Sequence, residues 1–317
     1  MASALVLINR NSGTVRSRGA DAVADLVREQ LADVFSPLEV RLFEGDIAPE
    51  ITKARKTADV IIAGGGDGTI ASAADALLKT GQILGALPLG TMNLFVQALG
   101  FSPKLEEALA QMKEATVYPV DVGTANDRIF LHQVSFGLQP RMGRLREKLG
   151  YKSRAGKLAS TARALLALSL RPRLVRGRVK LDDEELLVAS PMVAVTNNPI
   201  GSENLWSVQH RLDTGQLGYY ALPEFSLGAL LGLARDYMKN RLHDADIVDH
   251  RVATTVTLNR LSRSFRFSRR KGVLASLDGE IIVLDNPVTV SMKPKALKVL
   301  GRGATARDEQ AAPRTSS

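Results

Sequence analysis

The feature that most constrains this chain is an alternation near its start. Short apolar runs alternate with helical patterns, and a small polar or glycine-rich turn follows three of the runs. Residues 4–8, 38–43, 60–62 and 83–86 read as strands, while 20–35, 51–57, 69–79, 93–99 and 105–114 carry helical spacing. Repeated βα units need crossover connections, so the strands run parallel and helices cover both faces of the sheet. The expectation is an N-terminal doubly wound α/β domain over residues 1–120. Such sheets take ligands beyond the carboxyl ends of their strands.

After residue 117 the texture changes to short strands with turn signals, at 120–123, 129–136, 175–181, 186–189, 192–196, 217–221, 252–258, 264–267, 273–277 and 281–284. A C-terminal β-sandwich-like domain over residues 121–300 is expected, carrying inserted helices at about 141–170 and 226–240. Residues 301–317 are small and polar and read as a disordered tail. At about 100–200 residues per domain, 317 residues fit two domains.

The chain has no cysteine, which excludes a disulfide scaffold, thiolate metal ligation and thiol catalysis, and makes a cytoplasmic setting the default expectation. Residues 1–9 lack a basic leader, and no apolar run reaches the ~18 residues of a membrane span. The net charge of +9 is unevenly spread. Residues 141–180 hold 13 Lys and Arg against Glu147, and residues 260–271 add six basic residues and no acid, which leaves −9 on the rest. Two local basic patches on an otherwise acidic chain point to a local anionic partner.

The strongest local signal is the run 61–70, a strand that feeds Gly64-Gly65-Gly66-Asp67-Gly68-Thr69 into a helix. Glycines let backbone amides approach an anion closely, and a helix N-terminus adds partial positive charge, so a nucleotide phosphate is the expected guest. The pattern is neither the dinucleotide fingerprint nor a P-loop. An aspartate inside a phosphate loop repels the ligand unless a divalent cation lies between them, which makes Asp67 a candidate for Mg2+ contact. The plainer reading is a tight βα turn with Asp67 and Thr69 as caps. Two further turns, Asn9-Arg10-Asn11-Ser12-Gly13 and Pro88-Leu89-Gly90-Thr91-Met92-Asn93, also follow strands. Three such loops on one sheet converge on one edge.

These motifs, with Val120-Asp121-Val122-Gly123 and Asp278-Gly279-Glu280, resemble the diacylglycerol kinase catalytic domain family, which includes bacterial lipid kinases and sphingosine kinases, in order and approximate spacing. The resemblance implies ATP-dependent phosphorylation of a lipid hydroxyl, diacylglycerol first, with a nucleotide domain and a lipid domain across a cleft. Carried over by motif, Asn9, Ser12, Gly13, Gly65, Gly66, Asp67, Gly68, Thr69, Gly90, Thr91 and Asn93 would bind the nucleotide. Asp67 and Asp121, with Asp213 as a weaker candidate, would belong to a Mg2+ network, and Glu280, then Asp278, would supply the base. Asp278-Gly279 between two apolar runs is equally a type I′ hairpin signal, and a hairpin tip can present carboxylates.

The chain departs from the family pattern at Arg10 (usually proline), Met92 (usually glycine), Leu94 (often an acid) and Thr214 (usually aspartate before Gly215). Arg144, Lys148, Lys152, Arg154 and Lys157, with leucines interleaved, are the expected contacts to an anionic membrane surface. That makes the expected protein peripherally membrane-associated. A nucleic-acid partner is not expected, because no binding motif is present and aromatic content is 5%. A homodimer stays open. His132, His210, His243 and His250 show no ligand spacing. The competing readings are a nicotinamide nucleotide kinase-like enzyme, which shares Gly-Gly-Asp-Gly-Thr, and a lipid-binding or regulatory protein with a decayed kinase site.

Overall fold

A computed structural model describes residues 2–141, 174–200, 211–222, 249–260 and 272–302. Two compact units emerge. The first holds residues up to Val122 together with the described residues 211–215 and 293–302, and the second holds the rest from Gly123 to Met292.

In the first unit, β1 (Ala4–Asn9), β2 (Leu38–Phe43), β3 (Val60–Gly65) and β4 (Ile83–Pro88) form a parallel sheet in the order β2-β1-β3-β4. Val6 pairs with Val40 on one side and Ile62 on the other. Because helices cover both faces, the central strands are apolar throughout, and Leu5, Val6, Leu7, Ile8, Ile61 and Ile62 are all buried. The connections are α1 (Gly13–Arg18), α2 (Ala20–Leu31), α3 (Ala48–Lys53), α4 (Asp67–Thr80), α5 (Leu94–Ala98) and α6 (Leu105–Met112). α2 buries Val23, Ala24, Val27 and Leu31, a spacing of three and four that puts one face on the sheet. α4 ends at Gly81, which is left-handed and donates its amide to Leu77 O at 2.8 Å.

The strand order decides where a ligand goes. The chain leaves β1 toward β2 on one side, then runs from β3 to β4 on the other. Right-handed crossovers therefore put α2 and α4 on opposite faces and open a crevice between the carboxyl ends of β1 and β3.

The second unit is antiparallel. β7 (Gln133–Gly137), β10 (Met192–Asn197), β11 (Leu217–Ala221), β12 (Asp249–Ala253), β14 (Gly272–Leu277) and β15 (Glu280–Asp285) make a six-stranded sheet in the order β12-β11-β10-β7-β14-β15. Facing it are β8 (Val175–Leu181), β9 (Glu184–Ser190), β13 (Val256–Arg260) and the first part of β16 (Val288–Gly301), with β6 (Arg128–Phe130) on the end of β5 (Thr116–Ala125). Phe130, Val134, Phe136, Val179, Val195, Leu217, Tyr219, Val256, Leu258 and Ala275 close the core of this sandwich. β8 shows the alternation plainly: Val175, Val179 and Leu181 point inward, while Arg176, Arg178 and Lys180 face water.

The fold class matches the sequence reading, and the differences have local causes. The expected strand 129–136 is two strands, broken where the amides of Leu131, His132 and Gln133 all turn to the Asp278 carboxylate. The expected strand 252–258 is also broken, where Asp182 collects the amides of Thr254 and Thr255. Helix α1 and the 14-residue strand β16 are additions to the sequence reading. The division expected at residue 120 differs from the compact units, since the latter part of β16 pairs with β4 at Val299 and clusters with the first unit. The helices expected at 141–170 and 226–240, the strand at 264–267, the tail, and Arg144, Lys148, Lys152, Arg154 and Lys157 lie essentially outside the described residues. No helix among the described residues is long and apolar enough to cross a membrane.

Candidate functional site

Three loops leave the carboxyl ends of β1, β3 and β4, and hydrogen bonds stitch them to one another. The Asn9 side-chain amide donates to Thr69 Oγ1 at 3.1 Å, which ties the end of β1 to the first turn of α4. Its Oδ1 accepts the Asn11 amide at 2.9 Å, and its backbone carbonyl accepts the Ser12 amide at 3.1 Å. The Thr14 amide donates to Leu89 O at 3.1 Å, so the first loop is also held to the third.

Sterics explain the glycines. A Cβ on Gly65 would stand 2.5 Å from the Thr69 side chain, and one on Gly90 would stand 2.5 Å from Gly66 Cα. Real side chains do not approach so closely, so Gly65 leaves room for the Thr69 side chain, and Gly90 lets two loops pass backbone against backbone. Gly68 is different: a Cβ there meets nothing within 4 Å, and the residue is exposed. The space above the first turn of α4 is thus open, and the free amides of that turn give onto it. α4 runs 14 residues, long enough for an established macrodipole at this end.

The third loop closes on itself. Asn93 is buried with φ 51°, and its Oδ1 accepts the Gly90 amide at 2.9 Å while its Nδ2 donates to Gly90 O at 3.2 Å. Asparagine tolerates this left-handed backbone better than most residues. Thr91 and Met92 are left exposed between these anchors. Asp67 is half-buried, and its Oδ1 accepts the Phe95 amide at 3.2 Å, fastening α5 to α4. Ser12 Oγ is buried without a hydrogen-bond partner among the described residues. These loop-to-loop bonds carry no pattern in the sequence beyond the presence of Asn9 and Asn93.

The expected acids separate into different settings. Asp121 is buried, and its two oxygens accept the amides of Gly215 and Lys295, each at 2.8 Å, while its own amide donates to Leu212 O at 2.7 Å. Asp213, in the same loop, pairs with Arg211 at 3.5 Å. Among the described residues no group of three or more His, Asp or Glu stands ready to hold a metal. Asp67 is the acid that lies among the glycine loops.

Asp278 and Gly279 occupy the hairpin between β14 and β15 with φ 47° and 92°, the two positive values of a type I′ turn. The Asp278 carboxylate accepts Leu131 N at 2.6 Å and His132 N and Gln133 N at 2.9 Å each. With three backbone amides on it, the carboxylate acts as a strut between the hairpin and residues 131–133. Glu280 opens β15, is exposed and stands in no ion pair among the described residues.

Comparison with known proteins adds the following. The family "Diacylglycerol kinase catalytic domain" matches residues 3–125. A candidate lipid kinase of Staphylococcus haemolyticus is 26% identical over 284 residues, covering 86% of this chain and 89% of that protein. A YegS-like lipid kinase candidate of Klebsiella pneumoniae is 32% identical over 145 residues, covering 44% of this chain and 47% of that protein. Among solved structures, a diacylglycerol kinase from Bacillus anthracis superposes with TM-score 0.68 at 18% identity, over 96% of this chain and 98% of that one. At this identity the structural likeness speaks to the fold.

Proposed function

We propose, from the membership of residues 3–125 in the diacylglycerol kinase catalytic domain family, that this protein is an ATP-dependent lipid kinase. The carrying observation is the interlocked set of loops at the β1/β3 crevice, with Asn9 bonded to Thr69 and open space over Gly68. A helix N-terminus with free amides favours phosphate, and the close glycines let the backbone reach it. Asn9, Ser12, Gly13, Gly65, Gly66, Gly68, Thr69, Gly90, Thr91 and Asn93 are the proposed nucleotide-binding residues, some by contact and some by shaping the loops.

Magnesium fits this site through Asp67 alone. One carboxylate oxygen is taken by Phe95 N, and the other has no hydrogen-bond partner among the described residues. Mg2+ normally keeps several waters and is shared with substrate phosphates, so one carboxylate is compatible with a cation that arrives on the nucleotide. When bound, it would offset charge on the phosphates. Asp121 and Asp213 do not fit the same cation, given their amide and Arg211 partners.

Phosphoryl transfer asks little covalent chemistry of a protein beyond alignment, charge neutralisation and a proton acceptor. In this reading the lipid hydroxyl oxygen bonds to the γ-phosphorus, the bond to the bridging oxygen of ADP breaks, and the hydroxyl proton passes to Glu280. Asp278 holds the hairpin that carries Glu280. Diacylglycerol is the proposed acceptor, reached at an anionic membrane surface by a peripherally associated, cytoplasmic protein.

The test is radiolabelled ATP and Mg2+ offered to the full chain with mixed-lipid vesicles. Label is expected in a lipid phosphate, and Asp67→Ala is expected to abolish it and to weaken Mg2+-dependent nucleotide binding. Nucleotide binding without any labelled lipid would instead favour a regulatory protein with a decayed site.

A further inference from the structure

We propose that Arg10 binds the phosphates of the nucleotide through its guanidinium, a role that rests on the kinase reading above. Arg10 follows Asn9, the residue whose side chain reaches Thr69 at the start of α4. Its own backbone is held in place: the Arg10 amide donates to Phe43 O at 3.0 Å, and the next turn is closed by the Asn11 and Ser12 amides on Asn9. A long cationic side chain therefore springs from a fixed point at the carboxyl end of β1, beside the crevice at which the strand order reverses.

That cation is free among the described residues. Arg18 pairs with Glu106, Arg28 with Asp25, and Arg41 with Glu39 and Glu50, but Arg10 is exposed and stands in no ion pair. Of the acids that follow β2, Asp46 caps the Ala48 amide, and Glu44 makes no ion pair. An exposed arginine left unpaired within the most closely bonded loops of the unit is available to a ligand. Its planar fork of donors matches phosphate oxygens, and such charge-assisted bonds are the strong ones.

The charge inventory of the site points the same way. Position 94 begins α5 with a leucine, so Asp67 is the single carboxylate of the three loops. A tri-anionic or tetra-anionic guest arriving there meets one carboxylate, the amides of α4 and the Arg10 guanidinium. Arginine thus shares with a metal the work of neutralising the phosphates, and nucleotide binding should survive metal removal better than Asp67 alone would allow.

Titration calorimetry with ATP, with Mg2+ and again with a chelator, tests this on the full chain, using wild type, Arg10→Ala, Arg10→Lys and Arg16→Ala. Arg16 is also exposed and unpaired among the described residues, on α1, and serves as the control for general surface charge. Arg10→Ala is expected to weaken ATP about ten- to a hundredfold, the range for a lost charged hydrogen bond. The loss should be larger with chelator present, Arg10→Lys should recover part of it, and Arg16→Ala should match wild type. The proposal is overturned if Arg10→Ala binds as wild type does, if Arg16→Ala loses as much, or if the loss comes with a lowered unfolding temperature that Arg10→Lys does not restore. Wild type that binds no ATP at all would remove the kinase reading as well, an outcome distinct from these.

Discussion

Where Gly90 crosses Gly66 two loops meet with no room for a methyl group on Gly90, and the steric demand is absolute because the obstructing atom is backbone. Gly90→Ala should therefore cost about 1–3 kcal/mol of stability and part the loops of the proposed nucleotide site, which urea unfolding and ATP titration would both register. Asp278 makes the opposite kind of case. Its carboxylate serves three amides, and removing it strands them, so Asp278→Ala should destabilise by about 2 kcal/mol or more while ATP affinity stays near wild type. These two residues also mark what was legible beforehand. The glycines announce themselves, since only close approach explains such a run beside a strand. Asp278 looked equally like a turn residue and a base. Its setting is made by three amides nearly 150 positions away in the chain, and no local spacing reports them.

Elements were readable wherever burial is one-sided or complete. β8 alternates faithfully, and β1, β3 and β4 of the parallel sheet are continuous apolar runs bounded by turns, while the edge strand β2 carries Glu39 and Arg41. The failures have physical causes. α1 is one short helix that buries only Val15, so it has no periodicity to detect. β16 carries Lys293, Pro294, Lys295 and Lys298, mostly exposed, and Lys295 bends it with φ 50°, which hides a strand behind a polar sequence. The breaks at 131–133 and 254–255 fall inside sequences that read as unbroken strands, and are made by aspartates of neighbouring hairpins. For Asp182 the Thr254 hydroxyl, helped by the amides of Thr254 and Thr255, holds the carboxyl below its ordinary value against burial, which opposes it more than either amide alone supports it. A depressed folded-state pKa gives stability above the unfolded value that is lost as pH falls through the folded one. The stability advantage of wild type over Asp182→Asn should accordingly narrow as pH drops from about 6 to about 3, followed by urea unfolding at each pH.

Over the whole molecule, length led to an expectation of two domains, while the path of the chain through the two compact units was not visible in the sequence. β5 and β16 each begin in one unit and end in the other, and the loop around Gly215 belongs to the first unit although its flanking strands belong to the second. Asp121 gathers these segments, accepting the amides of Gly215 and Lys295 from the middle of β5. Its side chain was expected in a Mg2+ network because an acid in that motif suggests a metal. Burial with backbone donors on both oxygens gives it a different task. Ending the chain at Asp285 should uncover β4 in the first unit and β13 in the second together. Amide hydrogen exchange is expected to show protection lost from both, rather than from the sandwich alone.

The pairing of Val299 with Leu84 also has a meaning in time. A chain emerging from the ribosome displays β1 to β4 first, and domains ordinarily fold in that order. Here the parallel sheet cannot acquire its last strand until some two hundred further residues have been made. The domain begun first is finished last. During that interval the open edge at β4 is the stretch of this protein most in need of a chaperone.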